Sequence, residues 1–566
     1  MDSLDEEIRK YALKNAIDYG KAKADNIIGK VIRNHKEIPV DEIKKRVSDI
    51  VEKVNMLSKE ELENEYKQYE EEFKIAAEEK AKESKPKFII EGVERGHVVT
   101  RFPPEPGGYI HIGNAKQCYL SDEIARLYDG KIYLYFDDTN PEKCKQKYVD
   151  AIKEDTAWMG IKFAKEYYAS DFIEQIYEYG KKLIESNNAY VCTCNNEKIK
   201  KDRFEKRECE HRTQSAETNL KMFNDMLNRK YKEGEAIVRL KVDMKAENST
   251  MRDPTIFRIK STEHYRQGTK YIVWPTYHIN TLIVDALNGI TDVVKSKEYE
   301  IWDALHKKLL NLLGLPLFRI HYEARLSIIG TITSKREMRK LISEGIVKSW
   351  DDPRLVTIAA LRRRGIQPQA IRAFVLRFGL SKTDSYSEMS ALLAENKKVI
   401  DPIAKHFFFV SKPIEVSTSI KKNVKIKMHP MQDYGFREYN IDGNLFVSQE
   451  DINDAKTGDI IRLKDLFDIK IKSIDNKIYA EQSSAPQNSR IIQWVPANDY
   501  IKCSIVIPKE IVDKDGRFNP NSLEVVEGFA EGKVKDLNEK EIVQFERFGY
   551  CILDNKEQMQ FIFISK

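Results

Sequence analysis

The stretch from Thr100 to Asn114 constrains the fold of this chain more than any other part of the sequence. It follows an apolar pair that is typical of a strand end, and it contains three prolines and two adjacent glycines. Proline and glycine exclude regular structure there, whereas the apolar spacing from Ala115 to Leu127 predicts a helix directly afterwards. A strand, a rigid loop and a helix in this order direct backbone N–H groups at one point, which suits an anion such as phosphate.

The residues at the start of that helix carry both the chemistry and a family resemblance. His111 can donate a hydrogen bond to a phosphate oxygen, and it belongs to a run that reads Arg-Phe-Pro-Pro-Glu-Pro (101–106) and then His-Ile-Gly-Asn (111–114). This run resembles the nucleotide-binding signature of class I aminoacyl-tRNA synthetases, and in particular their glutamyl/glutaminyl branch. Asn114 stands where the family tetrad ends in His, and Asn can also donate a hydrogen bond.

A Ser-Lys-Arg loop (334–336) precedes a second predicted helix, and taken alone it is an ordinary basic loop. It resembles the second class I signature, in which the first Lys is often replaced; here neither Thr331 nor Ile332 carries a charge. Lys335 would neutralise triphosphate charge as the bond to the α-phosphate forms.

The resemblance implies an α/β multidomain protein with a Rossmann-like nucleotide fold that is split by an insertion. It implies that His111, Asn114 and Lys335 act in catalysis. It also implies that ATP, with Mg²⁺ on its phosphates, contacts Pro104, Glu105, Pro106, Gly107, His111, Gly113, Asn114, Ser296, Arg325, Leu326, Thr333, Ser334 and Lys335.

An apolar strand at 131–136 ends on two adjacent carboxylates, Asp137 and Asp138. Open α/β sheets bind ligands at that edge, where a carboxylate can hold an ammonium group. A helix N-cap before Pro141 suits Asp138, Thr139 or Asn140 equally well. The run resembles the family's Asp-Asp-Thr-Asn-Pro element, which implies that Asp137 contacts the α-amino group of the amino acid, although Tyr135 stands where the family usually has Arg.

A later region resembles the second substrate-binding half of the family. Lys295 stands where glutamyl enzymes have Arg and glutaminyl enzymes have Cys. A cation there, with Arg101 nearby, favours a γ-carboxylate over a neutral amide, because the wrong ligand leaves a buried charge unpaired. His278 and Asp292 depart from the family pattern, which commonly has Asp and His at these two positions. The implied amino-acid-binding residues are Arg101, Asp137, Tyr277 and Lys295.

Two close pairs of soft ligands lie within residues 166–275, a segment that resembles the acceptor-stem-binding insertion of the family. Cys192 and Cys194 form the first pair, and Cys209 and His211 form the second. Such pairs on either side of a loop can close a tetrahedron around Zn²⁺, and the predicted site is structural because four protein ligands leave no open position. Chance pairing of cysteines is the alternative, and the sequence leaves the retention of metal open.

Composition limits the other classes of function. The net charge is only +5, so nucleic-acid binding must come from local patches. No run of about 18 apolar residues occurs, which predicts no membrane span. The acidic N-terminus lacks the apolar core of a signal peptide, and seven cysteines without such a signal favour a reducing cytoplasm. We expect a cytoplasmic protein that acts as a monomer.

The family resemblance, together with a change in the spacing of apolar residues near residue 405, implies six domains. From about residue 405, short apolar runs separated by turn residues predict β-barrels, which the resemblance implies hold the anticodon of a tRNA. Three consecutive arginines at 362–364 can pair with tRNA phosphates. The predicted domains are an N-terminal helical extension (1–90), the first catalytic half (91–165), the insertion (166–275), the second catalytic half (276–345), a helical connector (346–404) and anticodon-binding barrels (405–566).

The resemblance covers nearly all of the chain, and it is to the archaeal type of glutamyl-tRNA synthetases. It implies that ATP activates L-glutamate as glutamyl-adenylate, and that the glutamyl group then passes to the 3′ end of tRNA(Glu). Mischarging of tRNA(Gln) stays open. One alternative is a glutaminyl-tRNA synthetase. The other is a catalytically weak tRNA-binding paralogue, which is motivated by the departures at Asn114, Tyr135, His278 and Asp292.

Overall fold

Four helices form the N-terminal unit, residues 1–87. The computed structural model describes residues 3–35, 38–83, 90, 92–484, 489–513 and 515–566. Apolar residues at helical spacing, among them Ile8, Leu13 and Val47, are fully buried where these helices pack. The helices are α1 (Ser3–Tyr19), α2 (Asp25–Asn34), α3 (Val40–Asn55) and α4 (Lys59–Glu83).

A parallel three-stranded sheet begins the second unit, residues 88–566. Its elements are β1 (Val99–Phe102), α5 (Ile112–Leu127), β2 (Lys131–Phe136), α6 (Gln146–Trp158) and β3 (Lys165–Tyr168). Val99 lies opposite Lys131, and Tyr133 lies opposite Lys165. Helices connect the strands, as parallel pairing requires. The strand and the helix predicted on either side of the proline-rich loop are therefore both present.

An antiparallel sheet interrupted by helices follows. Its elements are α7 (Ile173–Glu185), β4 (Ala189–Cys192), α8 (Asn196–Phe204), α9 (Ala216–Leu227), β5 (Ile237–Leu240), β6 (Thr255–Ile259) and β7 (Val273–Pro275). The four strands pair in chain order. The ring of Phe257 packs against those of Tyr177 and Phe223, which joins the sheet to the helices beside it.

The chain then returns to the parallel fold. The elements are α10 (Tyr277–Leu287), β8 (Asp292–Ser296), α11 (Asp303–Leu313), β9 (Arg319–Glu323), β10 (Leu326–Ile328), α12 (Lys335–Ser343), α13 (Ile358–Arg363), α14 (Pro368–Leu376), β11 (Ser385–Ser387) and α15 (Met389–Ile400). β8 pairs with β9, and β10 pairs with β11, both in parallel. The Thr291 N–H donates to the Val99 carbonyl at 3.0 Å, so β8 lies beside β1 and the two halves meet.

Short strands build the rest of the chain, as the change of period predicts. They are β12 (Lys405–Phe407), β13 (Phe409–Ser411), β14 (Pro413–Ser417), β15 (Lys422–Lys427), β16 (Phe436–Ile441), β17 (Asn444–Ser448), β18 (Ile460–Leu463), β19 (Asp468–Ile474), β20 (Ile478–Ser483), β21 (Ile491–Ile492), β22 (Val495–Pro496), β23 (Tyr500–Pro508), β24 (Leu523–Glu531), β25 (Ile542–Phe545), β26 (Gly549–Asn555) and β27 (Gln560–Ser565). Two seven-stranded sheets run in the orders β12–β25–β26–β27–β23–β24–β13 and β21–β18–β19–β20–β14–β17–β22. Over the described part of the chain, no helix is both long and apolar enough to cross a bilayer.

The hydrophobic core continues from the helical segment into the last strands. Ile552 and Ile564 lie in the same buried cluster as Ile366 and Ile371. The backbone at Gly365 approaches Ile564 so closely that an added Cβ would lie 2.6 Å from its side chain, and the Gly365 φ of +85° is a conformation that favours glycine. The helices and these strands therefore share one apolar interface.

A second such contact lies beside the Ser-Lys-Arg loop. The Ile511 N–H donates to the Gly330 carbonyl at 2.9 Å. The Ile511 side chain is buried with Met338 and Leu341, which lie on α12 just after that loop. A segment between β23 and β24 therefore packs against the loop region and the helix that follows it, although about 180 residues of sequence separate them.

The first two of the three consecutive arginines form ion pairs, and the third is buried. Arg362 pairs with Glu154 at 2.9 Å, and Arg363 pairs with Asp554 at 2.8 Å. Arg364 is buried, and desolvation lowers its pKa to about 10. Burial removes Arg364 from contact with tRNA phosphates, whereas Arg362 and Arg363 are part-exposed, so their pairing with phosphates stays a prediction.

Candidate active site

One cavity of about 590 Å³ opens at the carboxyl ends of β1, β2 and β8. The residues predicted for the site that line it are Arg101, Pro104, Glu105, His111, Gly113, Asn114, Asp137, Tyr277, Lys295, Ser296, Arg325, Leu326, Thr333 and Lys335. Pro106, Gly107 and Ser334 lie in the adjoining turns and do not line it. Parts of the chain that are far apart in sequence therefore meet around one space.

His111 caps the helix that begins at the cavity. The Gly113 N–H donates to Nδ1 of His111 at 3.1 Å, and the His111 N–H donates to Oδ1 of Asn114 at 3.1 Å. Burial, together with the positive charges of Lys335 and Arg325, lowers the pKa of His111 to about 3. The ring is therefore neutral at pH 7, and since Nδ1 accepts a hydrogen bond, its proton is on Nε2. Nε2–H is the donor available to a phosphate.

Glycine is required at position 113 by the same contact. A Cβ at Gly113 would lie 2.9 Å from Cε1 of His111, a distance that side chains do not tolerate. The absence of a side chain lets the imidazole lie against the first turn of α5, where the N-terminal N–H groups are concentrated. The turn is thereby shaped for close approach of an anion to the backbone.

Asp137 is a partly buried carboxylate with one strong donor. The side-chain amide of Asn280 donates to Oδ1 of Asp137 at 2.8 Å, and the Thr139 hydroxyl lies 3.4 Å away. Burial, followed by the charges of Glu105 and Asp138, raises the pKa of Asp137 to about 7. A bound ammonium group would favour the ionised form again, because an opposite charge at close range lowers a carboxyl pKa.

The second acid, Asp138, has a different role. Its carboxylate accepts hydrogen bonds from the N–H and the hydroxyl of Ser170, both at 2.8 Å, and from the hydroxyl of Tyr265 at 3.0 Å. These donors come from outside the nucleotide-binding loop. Asp138 therefore joins the edge of the parallel sheet to the segment that follows it, and the N-cap interpretation of this residue is not what the structure shows.

Arg101 is held by one carboxylate and keeps one nitrogen for another partner. Its Nε and Nη2 lie 3.3 Å and 3.2 Å from Asp285, and both side chains are almost fully buried. Among the described residues, Nη1 of Arg101 has no hydrogen-bond acceptor. A buried guanidinium nitrogen without an acceptor is expensive, and a ligand carboxylate would supply one.

Lys295 lies on β8 with only 5% of its surface exposed. Its Nζ lies 3.3 Å from Nδ1 of His306, so its hydrogen-bond partner is a ring nitrogen and not a carboxylate. Burial and the nearby charge of Arg101 lower the pKa of Lys295 to about 8, against the opposing effect of Asp285 and Asp303. The side chain is therefore cationic at pH 7 and suited to a second negative group.

Lys335 approaches the same space from the first turn of α12. The hydroxyl of Ser334 caps this helix by accepting from the Glu337 N–H at 3.3 Å. Lys335 Nζ donates to the carbonyl of Glu105 at 3.2 Å, which links the Ser-Lys-Arg loop to the proline-rich loop. Arg325 donates to the Thr333 hydroxyl at 3.1 Å. Burial lowers the pKa of Lys335.

Profiles of known protein families match most of the chain. A profile described as "tRNA synthetases class I (E and Q), catalytic domain" matches residues 97–402. Two profiles described as the anti-codon binding domain of the same class match residues 404–484 and 491–554.

Relatives are similar over their full lengths. A glutamate–tRNA ligase of Nitrosopumilus maritimus is 40% identical over 99% of this chain and 99% of that protein. Those of Pyrococcus furiosus and Thermococcus kodakarensis are each 38% identical, over 98% and 100% of both chains respectively. This chain belongs to the class I glutamyl and glutaminyl tRNA synthetases. The predicted family and fold class are therefore confirmed.

This synthetase brings its predicted zinc ligands together. The ligand atoms of Cys192, Cys194, Cys209 and His211 all lie within 4.8 Å of one another. Cys209 Sγ lies 3.6 Å and 3.7 Å from the other two sulfurs; zinc–sulfur bonds of about 2.3 Å give sulfur–sulfur edges of about 3.8 Å in a tetrahedron. His211 turns Nδ1 toward Cys209 at 3.3 Å, while its Nε2 lies 3.0 Å from the Thr193 hydroxyl, as an oriented ligand requires.

Several residues that line the cavity of this synthetase, or that contact its lining residues, were missed in the sequence. Asn280 and Asp285 lie on α10, the helix that begins at Tyr277, and they contact Asp137 and Arg101. The available signal was an Asn and an Asp within a mainly apolar helix, since buried polar groups need partners. His306, Lys116 and Glu323 were also missed, and the sequence offers no comparable signal for them.

Proposed function

We propose that the chain attaches L-glutamate to the 3′ end of tRNA(Glu) in two steps that consume one ATP. In the first step the glutamate α-carboxylate attacks the α-phosphorus of ATP, and pyrophosphate leaves. In the second step a hydroxyl of the terminal tRNA ribose attacks the carbonyl carbon of glutamyl-adenylate, and AMP leaves. Neither step needs a protein nucleophile, because alignment of the reactants and stabilisation of charge suffice.

The observation that carries this proposal is the shared cavity. Arg101, Asp137, Tyr277 and Lys295 border the same space as the phosphate-directed side chains of the two signature loops. An amino acid held by the first group would present its α-carboxylate to an ATP held by the second. Proximity of this kind supplies much of the rate of a two-substrate reaction.

Each signature loop has a defined part in the first step. His111 donates from Nε2, and Asn114 completes the helix cap that holds the ring. Lys335 brings a cation to the α-phosphate as negative charge develops there, which lowers the barrier more than it strengthens ATP binding. Mg²⁺ enters on the ATP phosphates, for which it is the usual partner.

Glutamate is favoured over glutamine by the side chain at position 295. A cationic Lys295 in a buried setting pairs with a γ-carboxylate, whereas an amide would leave its charge without a counterion. The Arg101 guanidinium is hydrogen-bonded to Asp285, whereas the hydrogen-bond partner of Lys295 is a ring nitrogen of His306, so Lys295 has no directly bonded carboxylate.

Binding of tRNA is supported by the C-terminal strands. The relatives are glutamate–tRNA ligases, and the matching profiles are described as anti-codon binding domains. A cleft of about 450 Å³ is lined by residues of β12, β15 and β25 and by the turns after β18 and β25, among them Lys425, Lys427, Lys464 and Arg547. Its cations suit phosphates, and its polar edges suit splayed bases. Whether tRNA(Gln) is a second substrate is part of the test below.

We also propose that the Cys192–His211 cluster holds one structural Zn²⁺. Three sulfurs and one imidazole nitrogen are a complete tetrahedral set. When bound, the ion would tie the loop after β4 to the turn that carries His211, and it would take no part in the reaction because no ligand position stays open.

The six-domain division, with boundaries near residues 90, 165, 275, 345 and 404, is retained as a proposal, together with a cytoplasmic monomer. The change from helices to a parallel sheet to short strands along the chain supports the division. Sedimentation of the purified protein tests the monomer, and limited proteolysis tests the boundaries.

The decisive experiment compares ATP–pyrophosphate exchange with glutamate and with glutamine, each in the presence of tRNA. Exchange with glutamate alone is the expected result, whereas exchange with glutamine alone would establish the glutaminyl alternative. No exchange with either amino acid would favour the catalytically weak tRNA-binding paralogue. Aminoacylation of purified tRNA(Glu) and tRNA(Gln) then decides how many tRNA species the enzyme charges.

A further inference from the structure

Three side chains form a hydrogen-bonded line that starts at Lys295 and leads away from the cavity. Lys295 Nζ lies 3.3 Å from Nδ1 of His306, and Nε2 of His306 lies 3.2 Å from Nδ1 of His278. The three residues lie on β8, α11 and α10, so separate elements build the line. His306, in the middle, is only 2% exposed, so water does not replace either contact.

The lysine sets the direction of donation along this line. An ammonium group has donors and no acceptor, so Lys295 donates to Nδ1 of His306. Nδ1 therefore carries the lone pair, and the proton on Nε2 of His306 is donated to Nδ1 of His278. This order of donors requires both rings to be neutral with their protons on Nε2.

The surroundings of the two rings keep them neutral. Burial and then the charge of Lys295 lower the pKa of His306 to about 2. Burial and the charges of Arg203 and Lys295 lower the pKa of His278 to about 4. At pH 7 neither ring therefore competes with Lys295 for a proton, and the direction of the line stays as described.

Contacts with aromatic rings hold the imidazoles of His278 and His306 in place. The His278 ring stacks on Trp302, with centroids 3.9 Å apart and planes inclined by 28°. The ring of Tyr277 lies 6.0 Å from that of His306 and 5.6 Å from that of His278. Because these aromatic contacts hold both imidazoles, the acceptor offered to Lys295 has one position.

We propose that His306, supported by His278, is a positioning residue that orients the ammonium group of Lys295 toward the side-chain carboxylate of glutamate. The inference rests on the proposed function, since it gives the cause of glutamate selectivity at the same site. One of the three ammonium N–H groups is bonded to His306, which leaves two for the cavity. A lysine is a flexible point charge, and an acceptor of this kind gives it the fixed direction that an arginine has by its own shape.

The charged groups around Lys295 set the pH range over which its ammonium group stays charged. Arg101 on β1 disfavours the lysine charge, whereas Asp285 on α10 and Asp303 on α11 favour it. His306 faces it as a neutral acceptor. Removal of that acceptor takes away a hydrogen bond to the charged form, so the pKa of Lys295 must fall further.

The test measures KM for glutamate and kcat/KM against pH by ATP–pyrophosphate exchange, using the full chain with tRNA(Glu). In His306→Leu we expect KM for glutamate to rise about tenfold and the alkaline limb of kcat/KM to move down by about one pH unit, with KM for ATP unchanged. His306→Asn keeps an acceptor near the position of Nδ1, and it should restore most of the loss.

His278→Phe keeps a ring on Trp302 but offers no acceptor to His306. We expect a smaller change in the same direction, since the group that selects the His306 tautomer is gone. Equal glutamate kinetics in His306→Leu and the unaltered protein would overturn the proposal. A parallel rise of KM for glutamate and KM for ATP would also overturn it, because that pattern indicates general damage to the site.

Lys295→Cys separates this inference from the proposed function. If the unaltered protein does not use glutamate, the proposed function fails. If Lys295→Cys loses glutamate use while His306→Leu keeps it, only the positioning role fails. A measurement on the unaltered protein with ¹⁵N-labelled histidine adds an independent check. Both rings should be neutral and protonated at Nε2 at pH 7. A charged ring or the Nδ1–H tautomer at either residue would contradict the proposed order of hydrogen bonds.

Discussion

Asn280 donates a hydrogen bond of 2.8 Å to Oδ1 of Asp137 from the helix that begins at Tyr277. The same amide nitrogen lies 3.0 Å from the hydroxyl of Tyr135, which stands where the family usually has Arg. A neutral amide therefore donates to this carboxylate, and the phenol of Tyr135 accepts from the same amide. Without an adjacent positive charge, burial dominates, and the pKa of Asp137 is raised to about 7.

Glutamate use should weaken as the pH falls below 7. The substrate ammonium group needs ionised Asp137, whose pKa in the free protein is about 7, and below the pKa the ionised fraction falls about tenfold per pH unit. A plot of kcat/KM for glutamate against pH, from ATP–pyrophosphate exchange with tRNA, should show this acid limb.

Asn280→Ala provides the matched variant for that limb. Loss of a donor to the ionised carboxylate raises the pKa of Asp137 further, so the limb should move to higher pH. An acid limb at the same pH in Asn280→Ala and the unaltered protein would show that another group is responsible.

Lys295→Cys should lower kcat/KM for glutamate about 100-fold, which corresponds to about 3 kcal/mol, because one partner of a buried charge pair is removed. Relative use of glutamine should rise, since the amide no longer leaves a cation without a counterion. Lys297→Cys is the control: Lys297 forms a surface ion pair with Asp384 at 2.7 Å, and its loss should change kcat/KM little. Full glutamate activity in Lys295→Cys would contradict the proposal that Lys295 selects glutamate over glutamine.

Lys335→Ala should reduce kcat of glutamyl-adenylate formation by about 100-fold or more, as the loss of one preorganised charge at a transition state usually does. KM for glutamate should change much less, because Lys335 acts on the phosphates. Lys340→Ala, an exposed lysine on the same helix, controls for the stability of α12. A large rise in KM for glutamate in Lys335→Ala would instead place this lysine in the amino-acid site.

The cysteine cluster should bind one Zn²⁺ per chain, measured by elemental analysis of protein purified without chelators. Cys209→Ser should lose the ion, since zinc binding needs the thiolate. Cys144→Ser is the control, because Cys144 is a buried free cysteine outside the cluster, and this variant should keep its metal. Equal zinc content in the two variants would exclude the proposed ligand set.

The nucleotide-binding half could be predicted from sequence because its chemistry is local. The proline-rich loop, the helix start at His111 and the first turn of α12 are each contiguous, and the resemblance covered them residue by residue. Lys295 and Arg101 were also expected in one pocket, and both line the cavity.

Contacts between distant elements could not be predicted. His306 lies on a helix with no motif, and its role depends on the distance from its ring to Lys295, which only the packing of α11 against β8 determines. The ion pairs of Arg362 and Arg363 were missed for the same reason, since Glu154 and Asp554 lie about 200 residues away in the sequence. Period and composition do not contain this information.

The family profiles place a domain boundary after residue 402, but apolar side chains from both sides of that boundary pack together. Isoleucines of β26 and β27 cover Ile366 and Ile371, and Ile511 covers the apolar side of α12. Exposure of each such side chain costs about 1.5–3 kcal/mol, while a whole domain is stable by only about 5–15 kcal/mol. A truncated catalytic fragment would therefore melt early or aggregate, and biochemical dissection must keep the C-terminal strands attached.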